Sequence, residues 1–173
     1  KAVILTTGNE VYYGRIQDTF TPVVEEKLAE YGTELAGHTV LADDPDRLTR
    51  EIHRAVKELG AELVICTGGM SVDPDDKTPL AIRNTGADVI SYGAPVLPGA
   101  MFLLAYYENA GRRIPVLGLP GCVMYAKRTI FDLVLPMLMA DVEINAGQLA
   151  DYGEGGLCLS CEVCTYPNCG FGK

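Results

Sequence analysis

Apolar and polar positions come in blocks along the chain. Ala2-Val3-Ile4-Leu5 and Leu63-Val64-Ile65-Cys66 are short, β-rich runs without inside–outside alternation, as expected of strands buried on both faces of a parallel sheet. Each run ends at glycine, in Thr6-Thr7-Gly8-Asn9-Glu10 and in Thr67-Gly68-Gly69. Thr21-Pro22 predicts a capped helix start, with Val24, Leu28 and Tyr31 on one stripe and Gly32 as the stop. Residues 34–41 predict a strand. Asp44-Pro45 then opens a helix whose Leu48, Ile52, Ala55 and Leu59 form an apolar stripe ending at Gly60. Thr78-Pro79 repeats the cap signature for a helix to about Asn84, and residues 88–92 predict a further strand. Strands alternating with helices predict an α/β fold on a mostly parallel sheet.

The second half is less regular. Residues 93–99, GAPVLPG, predict a loop. Residues 102–107 and 113–117 flank Glu108-Asn109-Ala110-Gly111 and predict a hairpin that adds an antiparallel edge to the sheet. Residues 123–138 predict a long apolar helix interrupted by Pro136, with Lys127 and Arg128 either reaching a phosphate or facing solvent. Residues 1–146 form the expected main domain, and 147–173 a cysteine-rich tail.

Composition narrows the function. The 173 residues, 48% hydrophobic, suffice for one buried domain and hardly for two. A net charge of −9, from 14 basic against 23 acidic residues, argues against a nucleic-acid partner, which needs a basic face. No signal peptide and no apolar run near ~18 residues is present, so the expectation is a soluble, cytoplasmic protein with no membrane partner. A start at Lys1 without Met suggests a domain of a longer polypeptide.

Candidate chemistry collects at two places. After the strand at residues 63–66, Gly68-Gly69 can bring backbone close to an anion, and Ser71, Asp73, Asp75, Asp76 and Thr78 offer oxygens to a hard cation such as Mg²⁺. A plain turn with a solvated acidic loop accounts for the same residues. In the tail, Cys158-x₂-Cys161-x₂-Cys164-x₄-Cys169 holds four of the six cysteines and suits zinc or an iron–sulfur cluster. A flexible thiol tail is the alternative. Cys66 fits a small buried hydrophobe, and His38 and His53 have no sequence partner that would make them catalytic.

TTGNEVYYG at 6–14, Asp18-Thr19, Asp43-Asp44, TGGMSVDPDDKT at 67–78, Pro98-Gly99 and Leu119-Pro120-Gly121 together resemble, in order and spacing, the molybdopterin-binding domain of molybdenum cofactor biosynthesis proteins. The resemblance spans roughly residues 1–140, and the tail is similar to that of a longer subgroup with a cysteine-rich end. It implies a three-layer α/β/α domain that binds molybdopterin or its adenylated form during cofactor maturation, handling or insertion. Some members adenylate molybdopterin from ATP and others insert molybdate, both with Mg²⁺. Carried over by motif, Gly68, Gly69 and Ser71 cradle phosphate, Asp76 holds Mg²⁺ or supports catalysis, and Asp44 is a second functional acid. Gly8, Asn9, Glu10, Thr67, Thr78, Pro98, Gly99, Pro120 and Gly121 complete the implied ligand site. The implied partners are a pterin, ATP, a molybdoenzyme and further copies of the chain.

Three motifs depart from that pattern. Asn9 stands where the family has Asp, Ala100-Met101 where it has Lys-Pro, and Cys122-Val123 where it has Asn-Pro. A missing lysine removes a charge-assisted phosphate contact. A transferase and a non-catalytic carrier therefore both remain open, with a Mg²⁺-dependent nucleotide pyrophosphatase as the third reading. Cys122 either meets the pterin dithiolene or is a buried thiol.

Overall fold

The computed structural model describes residues 1–71 and 76–173. Its centre is a six-stranded sheet in the order β2-β1-β3-β6-β5-β4. The strands are β1 (Ala2–Thr7), β2 (Leu35–Leu41), β3 (Leu63–Thr67), β4 (Asp88–Tyr92), β5 (Leu103–Asn109) and β6 (Arg112–Leu119). β1 pairs in parallel with β2 and β3, and β3 with β6. β5 runs against both β6 and β4, so the antiparallel pairing lies towards one edge, as expected. β4, rather than the hairpin, forms that edge. The hairpin turns at Ala110 (φ 51°) and Gly111 (φ 81°), the left-handed pair that suits the twist of a two-residue connection.

The missing alternation in the strand sequences follows from burial on both faces. Ala2 and Ile4 of β1, Leu63 and Ile65 of β3 and Leu117 and Leu119 of β6 enter one core with α2 (Phe20–Ala29) and α5 (Ile130–Met139). Val3, Leu5, Val64, Cys66 and Val116 point the other way, into a core closed by α3 (Pro45–Lys57) and α4 (Thr78–Asn84). Three layers result. Leu48, Ile52 and Ala55 of the predicted α3 stripe are buried, and Leu59 packs at that core's margin.

Three helix starts differ from the sequence expectation. α4 begins at Thr78 itself, with Lys77 at the N-cap and no side-chain cap, because the Thr78 hydroxyl donates to the Gly68 carbonyl. α2 begins at Phe20 rather than after Thr21, because Asp18 Oδ1 accepts from the Phe20 and Thr21 N–H groups at 2.9 and 3.0 Å. The expected helix at 123–138 divides into a 3₁₀ turn, Gly121–Met124, and α5. The division falls at a capping box, in which the Thr129 side chain accepts from the Phe131 N–H while Asp132 accepts from the Thr129 N–H. Lys127 and Arg128 therefore precede the helix. Pro136 sits within α5 without ending it.

α1 (Asn9–Tyr12) is a single turn, and α6 (Ala146–Asp151) leads into the tail. The tail packs on the first core through Leu149 and Phe171, both at most 3% exposed. No helix among the described residues is long and apolar enough to cross a membrane.

Candidate functional site

Parallel pairing brings the carboxyl ends of β1, β3 and β6 side by side to one edge of the sheet. A buried threonine ladder ties these ends together. Thr67 Oγ1 donates to Thr6 Oγ1 at 3.1 Å, Thr7 Oγ1 donates to the Thr67 carbonyl at 3.2 Å, and Thr78 Oγ1 donates to the Gly68 carbonyl at 2.8 Å. Gly68 (φ 81°) and Gly69 (φ 54°) then turn the chain sharply. A side chain at Gly68 would run into the Thr7 carbonyl and lie 2.9 Å from Thr7 Oγ1, so the two strand ends touch only because this residue is glycine.

Two clefts flank the loop that starts at Gly68. The larger, about 660 Å³, is lined by Gly8, Asn9 and Glu10 from the β1 end and by Gly68, Gly69 and Asp76 from the β3 loop. The smaller, about 420 Å³, takes Ser71, Pro98, Gly99, Pro120 and Gly121. The structure thus divides most of the predicted ligand residues between two adjoining clefts. Thr67 is fully buried in the ladder, and Thr78 is buried beneath the loop. Asp73 and Asp75 lie outside the described residues.

The two predicted acids sit differently. Asp76 accepts from the Ser71 N–H at 2.5 Å and lines the larger cleft. Asp44 caps α3, its Oδ1 accepting from the Asp46 and Arg47 N–H groups at 2.9 and 3.0 Å. It faces a gap of only about 10 Å³ beside Lys77.

Sequence reasoning quoted Asp18, Asp43 and Lys77 within motifs but gave them no site role, and it passed over Tyr125. Asp18, Asp43, Lys77 and Tyr125 line the larger cleft, giving it a surplus of carboxylates. Asn9 and Asp43 lock reciprocally: the Asn9 N–H donates to Asp43 at 3.0 Å, and the Asp43 N–H donates to Asn9 Oδ1 at 3.2 Å. An amide at position 9 makes this lock without placing a second carboxylate against Asp43. Asp18 also receives the Thr21 and Thr6 hydroxyls at 2.6 and 3.1 Å, while His38 Nε2 lies 3.2 Å away. Burial pushes the Asp18 carboxyl up, but the hydroxyls of Thr21 and Thr6 with the Thr21 and Phe20 N–H groups outweigh it, so the group stays below the usual carboxylate range. The available signal was an Asp directly before a helix start, in Asp18-Thr19-Phe20-Thr21.

A family model described as "Probable molybdopterin binding domain" matches residues 3–140. The chain belongs to the molybdopterin-binding domain family. A CinA-like protein of Mycobacterium tuberculosis is 37% identical over 91 residues, covering 52% of this chain and 21% of its own. The aligned stretch is thus about a fifth of that relative's length. The molybdopterin biosynthesis enzyme MoaB of Thermus thermophilus superposes with TM-score 0.63 at 21% identity, over 84% of this chain and 96% of that one. The tungsten cofactor synthesizing protein MoaB of Pyrococcus furiosus gives 0.64 at 17% identity, over 82% and 95%. These two likenesses are of fold.

In this molybdopterin-binding domain Ala100 and Cys122, two of the departures from the family pattern, both line the smaller cleft. Burial pushes the half-buried Cys122 thiol up, and it drives the fully buried Cys66 to about 12. Cys66 packs as a core residue. Among the described residues no three His, Cys, Asp or Glu side chains stand close enough together to hold a metal ion. The larger cleft offers the separate carboxylates of Glu10, Asp18, Asp43 and Asp76. The four tail cysteines are free thiols; Cys158 and Cys169 are half-buried, Cys161 and Cys164 exposed. Lys127 and Arg128 face this tail rather than either cleft, with Lys127 Nζ 3.3 Å from the Glu162 carbonyl.

Proposed function

We propose that this domain binds molybdopterin or its adenylated form across the two clefts, and acts in molybdenum cofactor maturation, handling or insertion. One observation carries the reading. The Gly68-Gly69 turn is pressed against the end of β1, at the sheet edge to which the carboxyl end of β6 also runs, so glycine backbone from the β1 and β3 loops lines the larger cleft. A phosphate would sit at residues 68–71 beside Gly8, and the pterin would extend over Pro98-Gly99 and Pro120-Gly121. Because Glu10, Asp18, Asp43 and Asp76 outnumber Lys77 in the larger cleft, a phosphate there needs a divalent cation as a bridge. Asp76 is its protein ligand in this reading, with Asp44 as a second functional acid.

The surplus of carboxylates also favours a second reading, Mg²⁺-dependent hydrolysis of a dinucleotide pyrophosphate. Adenylation would add ATP as co-substrate. Delivery would add a molybdoenzyme as recipient, and the active unit in this proposal is a homo-oligomer.

The test is purification of the chain from a cofactor-producing host in Mg²⁺ buffer, with bound pterin identified by mass spectrometry. The wild type should retain molybdopterin or its adenylate. Asp76→Asn, which keeps a hydrogen-bond acceptor for Ser71, should lower the Mg²⁺-dependent affinity by about tenfold, or about 1.4 kcal/mol. A wild type that retains no pterin would overturn the binding proposal, and an unchanged variant would remove Asp76 from the metal site. Release of two mononucleotides from a dinucleotide without pterin binding would favour the second reading.

A further inference from the structure

The tail contains a cavity that the proposed function does not use. About 510 Å³ in volume, it lies between the tail and residues 125–128, and all four tail cysteines line it. The remaining two thiols are elsewhere, Cys66 in the sheet and Cys122 in the smaller cleft. We propose that Cys158, Cys161, Cys164 and Cys169 take up one thiophilic metal centre, zinc or an iron–sulfur cluster, in this cavity.

Anchoring of the cysteines supports the inference. Cys158 and Cys169 pack against the core, and Cys158 is held where its N–H donates to the Leu97 carbonyl at 2.8 Å. Cys169 directly precedes Gly170 and the buried Phe171. These form a fixed pair. Cys161 and Cys164 lie between them on an exposed segment with no helix or strand, so they can approach the fixed pair without disturbing the sheet. Leu159 and Val163 of that segment are 77% and 76% exposed, an arrangement that contributes little burial in the metal-free form.

Charge favours the same occupant. Four thiolates around a divalent ion carry a net −2, and Lys127 and Arg128 line the cavity wall. The Arg128 guanidinium already reaches the Cys164 thiol and also pairs with Asp132 at 2.9 Å. As the segment stands, no three of these thiols converge, so loading must draw Cys161 and Cys164 inward towards Cys158 and Cys169. Binding one divalent ion releases up to four thiol protons and changes no oxidation state, a coupling of metal uptake to local ordering that is common in small cysteine-rich modules.

The test uses the full chain, fully reduced and anaerobic. In one arm it is given Zn²⁺ and dialysed against a moderate chelator; in the other, equal amounts of Fe²⁺ and Fe³⁺ with sulfide, which supply the mixed valence of a four-iron cluster without an outside oxidant. Expected is one centre per chain in one of the arms, with the four tail thiols becoming unreactive to a thiol reagent under native conditions while Cys66 stays buried in both forms. A colourless one-to-one zinc complex, giving intense thiolate-to-metal absorption when Co²⁺ replaces zinc, identifies zinc; matched iron and sulfide with a broad visible band identifies a cluster. The double variant Cys161→Ser/Cys164→Ser alters only exposed positions, so its metal-free Tm should match that of the wild type, but it should lose the centre. Cys122→Ser should keep it. Failure of both arms with six free thiols, or unchanged metal retention by the double variant, would overturn the proposal. Neither readout depends on pterin binding.

Discussion

The strand-end loops and the cysteine tail are both irregular, Gly-rich segments, yet they are held in opposite ways. The loops after β1 and β3 are fixed by neighbouring strands and by threonine hydroxyls at 2.8–3.2 Å, all buried within one sheet edge. The tail is held at a few points: the Leu97–Leu157 bridge, the Phe171 side chain, and the Tyr166 hydroxyl donating to the Asp132 carbonyl at 2.8 Å. Loops with many cooperative anchors are pre-organised for a ligand. A segment with few anchors opens at low cost, and a bound group can then order it.

The largest effect should come from Gly68→Ala. The new methyl meets backbone in a left-handed conformation, so chemical denaturation should show a loss on the order of 3–5 kcal/mol or a failure to fold. A loss below about 1 kcal/mol would mean that the β1 and β3 ends are not pressed together. Phe171→Ala should cost about 3 kcal/mol, and most of it should appear locally. Hydrogen exchange should accelerate across residues 153–173 while residues 63–71 stay protected; equal acceleration in both would mean that the tail and the strand-end loops open as one unit.

Asp18→Ala removes the cap of α2 and should cost about 1–2 kcal/mol near neutral pH. The folded-state pKa of Asp18 is depressed, so its contribution is present above the ordinary carboxylate value of 3.8 and disappears as pH falls through the lower folded value. The stability gap between wild type and variant should therefore close in acid, as read by denaturation midpoints at several pH values. The smallest change belongs to Asp44→Asn, which retains an acceptor for the Asp46 and Arg47 N–H groups and should move stability by less than about 0.5 kcal/mol. Turnover measured on the same variant separates a catalytic carboxylate, which would be lost, from a helix cap, which would not.

Local pattern was enough to read β1, β3 and α3 almost to the residue. Unbroken apolar runs and an Asp-Pro cap each have few physical solutions. The Gly68-Gly69 turn was legible for the same reason, because two glycines between a buried apolar run and a polar stretch can hardly be anything but a strand end turning into a loop. The start of α2 was misplaced because two local caps compete there. Asp18 prevails over Thr21 because its carboxylate is also held by Thr6 from β1, 12 residues away in sequence.

By itself, the sequence determined the family, the main alternation of strands and helices over residues 1–92, the Gly68-Gly69 turn at the end of β3 and the grouping of thiols in the tail, since all of these depend on residue type and short-range spacing. Tertiary structure alone decided that β4 rather than the hairpin forms the sheet edge, and that Asp43 and Asp18 join the cleft. It also decided that Lys127 and Arg128 turn towards the cysteines and that Asp44 faces its helix rather than open space. Those outcomes depend on which distant backbone supplies a hydrogen-bond partner or a packing surface, and spacing along a chain carries no information about that until the sheet has assembled.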